Sequence, residues 1–171
     1  NGWGSRIQLS DERREVLETG GGLLKAAPLF TPGEDFLTIN VDILTTLDLN
    51  DLIAFHHQHN PLVSLAVSNR SSSRCFLFDT SMRLTGWKNL QTGAERIAIA
   101  SPETRPYAFS GISLFSYRVF EHLKLEGKFS LVDAYLALAP SQPIMGFLHQ
   151  NDNWVDVGKP ESIPIAESMF R

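Results

Sequence analysis

The sequence is poor in cysteine and has no excess of positive charge, and each shortage excludes a class of protein. Cys75 is the only cysteine among 171 residues, so the chain can hold neither an internal disulfide framework nor a cysteine-based metal cluster. This composition suits a reducing cytoplasm. The 19 acidic and 15 basic residues are interspersed and give a formal net charge of −4, so we expect no basic surface for nucleic acid or for an anionic membrane. An anionic ligand must therefore be bound locally, by backbone amides or by a metal ion.

Long apolar segments are missing as well. No apolar run is long enough to span a membrane, and residues 1–18 are too polar to contain the core of a signal peptide. The chain opens without Met in a loop-like segment that contains glycine, so we expect that an earlier part of the protein is absent from this sequence. With 171 residues, 43% of them hydrophobic, the chain is expected to form one domain over residues 1–171.

The stretch that organises the chain is residues 36–44, which read FLTINVDIL. Its apolar residues form a continuous run, which is typical of a strand buried on both faces in the middle of a sheet. In open α/β sheets ligands bind outside the carboxyl ends of the strands, so Asp42 is expected at the binding crevice. The alternative is that Asp42 only caps a turn, because Asp is a common turn residue. Asp156 repeats the arrangement, since WVDVG also places an acid at the end of a short apolar strand.

A glycine cluster follows Thr19, in which Gly20, Gly21 and Gly22 precede the helical pattern LLKAAPLF. Glycines before a helix start let the backbone approach a ligand closely, and the amides exposed there favour anionic or polar ligand atoms. The alternative is a flexible turn without a ligand.

The rest of the chain alternates predicted strands and helices. Strands are predicted over residues 61–68, 107–115 and 144–149, and helices over residues 49–58, 131–138 and 161–170. Asp48 and Ser130 suit the N-caps of the first two helices. Residues 75–99 read as a meander of short strands appended to a parallel core. Gly111 lies inside a predicted strand, where a glycine usually marks a bulge or a close approach by a ligand.

Three histidines, His56, His57 and His59, end the helix predicted over residues 49–58 and suggest a zinc site. Only His56 and His59 could share a helix face, and the sequence suggests no third ligand nearby. We favour the simpler interpretation that these histidines interact with the dipole at the end of the helix.

Four segments taken together resemble the sugar-1-phosphate nucleotidyltransferases. They are ETGGGLLKA at 18–26, INVDIL at 39–44, FSGISLF at 109–115 and WVDVGKPESI at 154–163. Their order and approximate spacing match the family over nearly the whole chain. The likeness is greatest to the bacterial subgroup that contains N-acetylmuramate-1-phosphate uridylyltransferase and the mannose- and heptose-1-phosphate guanylyltransferases.

The resemblance implies an α/β fold with a Rossmann-like, three-layer mixed sheet of the nucleotide-diphospho-sugar transferase type. It implies a cytoplasmic enzyme that transfers a nucleotidyl group from a nucleoside triphosphate, UTP or GTP, to a sugar 1-phosphate, releasing pyrophosphate. The product would be a nucleotide sugar for cell-envelope polysaccharide, and the enzyme could form a homo-oligomer.

The resemblance also implies roles for individual residues. Asp42 and Asp156 match the family's two Mg²⁺ ligands and would be the catalytic pair, and hard oxygen ligands do suit Mg²⁺. A bound dication would relieve the repulsion between the carboxylates and stabilise charge on the α-phosphate. No general base is needed, because the attacking phosphate oxygen is already ionised. Residues on the nucleotide side would be Thr19, Gly20, Gly21 and Gly22, and those on the sugar side Asn40 and Gly111.

The sequence departs from the family in three ways. The first is that the usual loop that grips the triphosphate, of the form G-x-G-x-R-x-x-P, is absent, so the sequence looks like the carboxyl-terminal portion of the family without its first βαβ units. Val41 replaces the family's small residue before the metal-binding acid. The family's E-K-P segment is also absent, which leaves Lys88 and Arg96 as substitutes for its sugar-phosphate lysine.

Two classes of function fit these observations. The first is the enzyme described above, which the presence of both Asp42 and Asp156 favours. The second is a non-catalytic relative of the same fold that binds nucleotide sugars or regulates a partner, which the missing loop favours. A dehydrogenase of the Rossmann type is excluded because no G-x-G-x-x-G turn occurs at the right place.

The 171-residue chain alone is expected to show little or no transferase activity, because the loop that grips the triphosphate is missing from it. Pyrophosphate release, measured after addition of a nucleoside triphosphate, a sugar 1-phosphate and Mg²⁺, checks this expectation. Brisk release would overturn it.

Overall fold

A computed structural model describes residues 4–13 and 15–170 of the chain. The helices are α1 (Glu18–Ala26), α2 (Leu49–His59), α3 (Val119–His122), α4 (Leu131–Leu138) and α5 (Ile163–Met169). The strands are β1 (Phe36–Ile39), β2 (Ile43–Thr45), β3 (Val63–Ser68), β4 (Arg74–Phe78), β5 (Leu84–Asn89), β6 (Glu95–Ile97), β7 (Arg105–Phe115), β8 (Ile144–Leu148) and β9 (Trp154–Asp156). In this described part of the chain, every helix is too short or too polar to cross a membrane.

The main sheet is built around the long strand β7. Its strand order is β6-β5-β4-β7-β3-β8, and β1 pairs with the second half of β7 on the side opposite β3. Strands β2 and β9 form a separate antiparallel pair. Within the main sheet only β3 and β8 are parallel neighbours, so the predicted parallel core is wrong in detail. The meander of β4, β5 and β6 is not an appendage either, because it continues the same sheet through antiparallel pairing.

Two apolar clusters cover the two faces of this sheet and make a three-layer structure. On one face α1, α3 and α4 pack against the sheet, with Tyr135 of α4 fully buried among Phe76, Phe109 and Phe115. The Tyr135 hydroxyl group lies 2.9 Å from Ser113 Oγ, and burial raises the pKa of this phenol. On the other face α2 packs through residues such as Leu52. The predicted mixed α/β class is therefore confirmed.

Both predicted helix caps are confirmed. Asp48 Oδ1 accepts a hydrogen bond from the amide of Asn50 at 2.8 Å. Ser130 and Asp133 form a reciprocal capping box, in which each side chain accepts from the backbone amide of the other residue. These caps explain why α2 and α4 begin where the sequence predicts.

The stretch at residues 36–44 is not the single central strand that we predicted. Strand β1 ends at Ile39, a turn follows in which Ile43 N donates to the Asn40 carbonyl group, and the chain then enters β2. Val41 at the tip of this turn is fully exposed. Polar Asn40 and Asp42 cannot be buried at the end of an apolar strand without partners, so the chain leaves the main sheet there. Within the described residues, β1 pairs with β7 alone.

We predicted that the glycine cluster precedes a helix. The cluster lies inside helix α1 instead. Gly20 and Gly21 are buried, and their amides donate to the Phe129 carbonyl group at 2.9 and 3.1 Å. A Cβ atom on Gly21 would lie 2.3 Å from the Gly127 carbonyl oxygen. The glycines therefore allow α1 to approach the segment before α4 closely, and this contact overrides the low helix propensity of glycine.

We predict that Gly21→Ala lowers the free energy of unfolding by about 1–3 kcal/mol, because the new methyl group would collide with backbone that cannot move freely. Gly22→Ala is the matched control. Its Cβ atom would meet the end of the Glu12 side chain at 2.5 Å, and Glu12 Oε2 accepts a hydrogen bond from Leu17 N at 2.9 Å. The gain in helix propensity of about 1 kcal/mol offsets the loss of that one hydrogen bond. Urea unfolding of both variants measures the difference, and equal stabilities would contradict this account.

His56 does more than interact with the helix dipole. Its ring is buried, with Nδ1 at 2.8 Å from Ser64 Oγ on β3 and Nε2 at 3.7 Å from Asp35 Oδ2. Burial lowers the pKa of His56, and the charge of Asp35 only partly opposes that shift, while His57 and Arg118 lower it further.

The lowered pKa of His56 predicts a pH-dependent stability. His56 of the unfolded chain becomes protonated as the pH falls below 6.5, the ordinary pKa of histidine. His56 of the folded chain stays neutral until the pH falls to its lower folded pKa. The free energy of unfolding should therefore fall as the pH falls through this window. His56→Gln should remove that contribution and the exposed control His57→Gln should keep it, as measured by urea unfolding at several pH values. An unchanged slope in His56→Gln would reject this assignment.

Candidate functional site

The carboxyl ends of β1, β3 and β8 lie at the same edge of the main sheet. Strands β1 and β3 both run antiparallel to β7, and β8 runs parallel to β3. The residues that follow these strands, Asn40, Asn69 and His149, therefore lie at one edge of the sheet, where α/β sheets bind ligands. The β2–β9 pair carries Asp42 and Asp156 to this edge.

The structure brings Asp42 and Asp156 together. Ile43 pairs with Asp156 in the β2–β9 ladder, and Val157 N donates to the Asp42 carbonyl group at 2.8 Å. A Cβ atom on Gly158 would lie 2.8 Å from Asp42 Oδ2 and 3.0 Å from Asp156 Oδ1, so the two carboxylates converge on one point. The amide of Gly158 orients Asp156 by donating to its Oδ1 atom at 2.8 Å.

These acids are suited to a cation that keeps most of its own shell. Asp42 is half-buried and Asp156 is exposed, so water can reach both carboxylates. Across residues 4–13 and 15–170, no group of three or more His, Cys, Asp or Glu side chains is arranged to hold a metal ion. Two carboxylate ligands with open neighbouring positions are what Mg²⁺ uses when water and phosphate complete its octahedron.

Asn40 and Gly111, the predicted sugar-side residues, are also neighbours. Asn40 N donates to the Gly111 carbonyl group at 2.9 Å, and Gly111 has a φ of +77°, which favours glycine. A Cβ atom on Gly111 would lie 2.8 Å from Ile43 Cγ1, so the close approach that we predicted here is made by the turn after β1. The register between β3 and β7 also shifts near this position. Four of the eight predicted residues, Asn40, Asp42, Gly111 and Asp156, thus form one group.

The other four predicted residues have a structural role. Thr19 Oγ1 accepts a hydrogen bond from Leu131 N at 2.9 Å, beside the contacts of Gly20 and Gly21 with Phe129. Gly22 faces the Glu12 carboxylate. These contacts join α1 to the start of α4, and they already use the amides of Gly20 and Gly21 that we expected to meet a nucleotide.

Arg70 is a site residue that the sequence interpretation missed. Its guanidinium carbon lies 3.8 Å from the centre of the Trp154 ring, and its Nη2 atom donates to the Phe109 carbonyl group. Burial lowers the pKa of Arg70, whereas the nearby Cys75 and Asp156 side chains raise it. A signal was present in the sequence, because a turn with two arginines, NRSSSR, follows a strand that ends at the binding edge.

Lys88 and Arg96, the substitutes proposed for the missing lysine, lie elsewhere. They belong to β5 and β6, at the opposite end of the strand order from β3 and β8. Lys88 Nζ lies 3.6 Å from Glu95 Oε1, and Arg96 Nη1 lies 2.8 Å from Asp133 Oδ1. Both side chains thus have acidic partners outside the group around Asp42.

A Ser–His–Asp chain supports the same edge. Ser110 Oγ lies 2.8 Å from His149 Nε2, and His149 Nδ1 lies 2.9 Å from Asp152 Oδ2. The geometry is like that of a hydrolase triad, but Ser110 is fully buried and cannot reach a substrate. This series of hydrogen bonds therefore orients His149 and the segment of β7 at Ser110. The Ser110 carbonyl group also accepts a hydrogen bond from Trp154 Nε1 at 2.9 Å.

A cavity of about 440 Å³ opens beside these residues. Most of its lining residues have polar side chains; the lining consists of Ser68, Asn69, Arg70, His149, Gln150, Asn151, Asp152, Trp154 and Met169. A second cavity of about 230 Å³ lies on another side of Arg70 and includes Arg74 and Trp87. Arg70 is shared by both cavities.

Comparison with known proteins agrees with this architecture. No protein-family model matches the sequence. HddC from Yersinia pseudotuberculosis has a TM-score of 0.68 and 19% sequence identity, over 93% of this chain and 65% of that chain. UDP-glucose pyrophosphorylase from Acinetobacter baumanii has a TM-score of 0.69 and 14% identity, over 90% of this chain and 56% of that chain. The inositol-1-phosphate CTP transferase from T. maritima has a TM-score of 0.61 and 16% identity, over 90% of this chain and 61% of that chain.

The chain thus has the fold of the nucleotidyltransferases, and the predicted fold type is confirmed. It spans between 56% and 65% of the length of these three structures. At such low identity the likeness establishes the fold and leaves the activity to be argued from the site.

Proposed function

We propose that this chain carries the metal-binding and sugar-binding part of a Mg²⁺-dependent sugar-1-phosphate nucleotidyltransferase. The observation that supports the proposal is the convergence of Asp42 and Asp156 from two paired strands at the edge of a nucleotidyltransferase fold. A scaffold without a ligand would place two like charges together at a cost in free energy. A cation between them removes that cost.

In this proposal the reaction is an in-line displacement at phosphorus. An ionised oxygen of the sugar 1-phosphate attacks the α-phosphorus of the nucleoside triphosphate, the new P–O bond forms as the bond to pyrophosphate breaks, and no proton needs to be removed. Mg²⁺, when bound, supplies positive charge against the charge that builds on the α-phosphate. Asp42 and Asp156 would hold the ion, and the hydrogen bonds from Val157 N to the Asp42 carbonyl group and from Gly158 N to Asp156 Oδ1 keep both residues in place.

The sugar and nucleotide sides have different support. Asn40 and Gly111 lie directly beside the acids, which supports their proposed position next to the sugar. The nucleotide-binding role of Thr19, Gly20, Gly21 and Gly22 rests on the resemblance of the sequence, because the structure gives these residues packing partners. UTP or GTP as donor and a product destined for cell-envelope polysaccharide rest on the same resemblance.

A non-catalytic relative that binds nucleotide sugars or regulates a partner is the second candidate. It would use the same fold and could keep the same acids. Mg²⁺ binding is common to both candidates. Pyrophosphate release separates them when it is measured on a protein that also contains a loop that grips the triphosphate, because the 171-residue chain alone is expected to be inactive in either case.

Metal binding tests the shared part of the proposal. Mg²⁺ titration by calorimetry should show one site in the wild-type chain, and Asp42→Asn and Asp156→Asn should each weaken it by about tenfold or more while the fold is kept, because each removes one charged ligand. Gly158→Ala should weaken Mg²⁺ by about 10–100-fold, since its methyl group would enter the space between the two carboxylates.

The control for this experiment is Asp51→Asn, which removes an exposed acid in the first turn of α2. It should bind Mg²⁺ like the wild type. Wild-type affinity in Asp42→Asn or in Asp156→Asn would remove that residue from the metal site.

A further inference from the structure

We infer that Arg70 binds the phosphate group of the sugar 1-phosphate and holds it against the Asp42–Asp156 pair. The inference deepens the proposed function and rests on it. It assigns to the chain an anion-binding residue outside the segments that resemble the nucleotidyltransferases.

Arg70 lies on the same side of the site as Asp156. It follows β3 at the same sheet edge as the two acids, and its guanidinium group stacks on Trp154. Trp154 and Asp156 are two residues apart on β9, so their side chains point to the same face of that strand. The stacking therefore places the positive charge of Arg70 on the face of β9 that carries Asp156, close enough for the two charges to interact.

Only part of the hydrogen-bonding capacity of Arg70 is used within the described part of the chain. Its Nη2 atom donates to the Phe109 carbonyl group, but its Nε atom is buried and has no hydrogen-bond partner in the described part of the chain. A guanidinium group offers five donors in a fixed planar fork that matches the geometry of phosphate. The Nε atom is out of reach of a ligand, but the Nη1 atom is not among the buried atoms and has no hydrogen-bond partner in the described residues. A phosphate oxygen that enters from a cavity can therefore accept a charge-assisted hydrogen bond from Nη1.

The charges at the proposed metal site favour binding of an anion by Arg70. Asp42 and Asp156 contribute two negative charges, and a bound Mg²⁺ cancels both. The charge of Arg70 then has no remaining acidic counterpart in this pair. Asp152, the acid in the wall of the larger cavity, is bound to His149 Nδ1 at 2.9 Å, so the Arg70 charge is left to attract an anion. The phosphate of the acceptor is the anion that the proposed reaction brings to this position.

Arg70 borders two cavities that a ligand can enter. The cavities of about 440 Å³ and about 230 Å³ both include Arg70 in their walls. Asn69, Gln150 and Asn151 line the larger one and provide amide groups that can hydrogen-bond to sugar hydroxyl groups. Arg70 therefore borders open space large enough for a small phosphorylated polyol.

Arg83 is a matched comparison within the same chain. Its Nε atom is also buried without a partner, and its Nη2 atom donates to the Ala139 carbonyl group at 3.0 Å. Unlike Arg70, it lies beside Asp79, an acid that belongs to no proposed metal site and that accepts from the Arg83 amide. An unpaired Nε atom alone therefore does not make an anion site, and the position of Arg70 next to Trp154 and Asp156 makes the difference.

The test is a calorimetric titration of the 171-residue chain, with Mg²⁺ present, using α-D-glucose 1-phosphate, inorganic phosphate and D-glucose as probes. The wild type should bind both phosphate-containing probes more tightly than glucose. Arg70→Gln should weaken both by tenfold or more, and Arg70→Lys should weaken them less, because it keeps the charge but loses the planar fork. Arg83→Gln should bind like the wild type.

Mg²⁺ affinity, measured in the same samples, separates the possible failures. If Arg70→Gln binds the phosphate probes like the wild type, or if the wild type prefers neither phosphate probe to glucose, the inference is wrong. If Asp42→Asn keeps wild-type Mg²⁺ affinity, the proposed function is wrong at its metal site. A general loss of structure in Arg70→Gln would weaken Mg²⁺ binding as well, whereas the inferred role leaves Mg²⁺ affinity equal to that of the wild type or tighter, because the variant removes a positive charge beside Asp156.

Discussion

Three consecutive main-chain carbonyl groups on β7 hold the candidate site together. The carbonyl groups of Phe109, Ser110 and Gly111 accept hydrogen bonds from Arg70, Trp154 and Asn40, respectively. These donors follow β3, begin β9 and follow β1, so three distant parts of the sequence share one anchor. The anchor exists because β7 departs from regular pairing with β3 at this point and Gly111 adopts a positive φ. A Cβ atom at position 111 would lie 2.8 Å from Ile43 Cγ1 and 3.2 Å from Asn40 Nδ2, so a side chain there would disturb the contact with Asn40.

The rigidity of the sheet turns this anchor into a usable site. Strand β7 is covered by apolar clusters on both faces, and its neighbours β1, β3 and β4 fix its position. Acids placed on a paired ladder at the edge of such a sheet need little reorganisation when a ligand arrives. The buried Ser110–His149–Asp152 chain adds to this support from beneath, since it ties β7 to the loop after β8.

The glycines show where the tertiary structure differs from what local sequence patterns predict. A run of three glycines after a threonine is a loop signal, and local propensity favours that interpretation. The structure uses Gly20 and Gly21 inside a helix instead, because the helix comes close to the backbone near Gly127 and Phe129. Gly111 is the opposite case, since its predicted irregularity is present, although the chain itself makes the close approach. A glycine in such a pattern therefore indicates that another group approaches the backbone closely. The sequence does not indicate whether that group belongs to a ligand or to another part of the chain.

The sequence by itself determined the alternation of helices and strands, both N-caps, the mixed α/β class and the two acids that end up together. The elements, the caps and the fold class depend on local hydrogen bonding and on apolar periodicity, which a short window of residues contains. The pairing of Asp42 with Asp156 was expected from the resemblance to the nucleotidyltransferases. Only the tertiary structure decided that β1 stops at Ile39, that most strand pairs are antiparallel and that Arg70 stacks on Trp154 beside Asp156. Such pairings join residues far apart in the chain, and their free energy comes from contacts that no local pattern records.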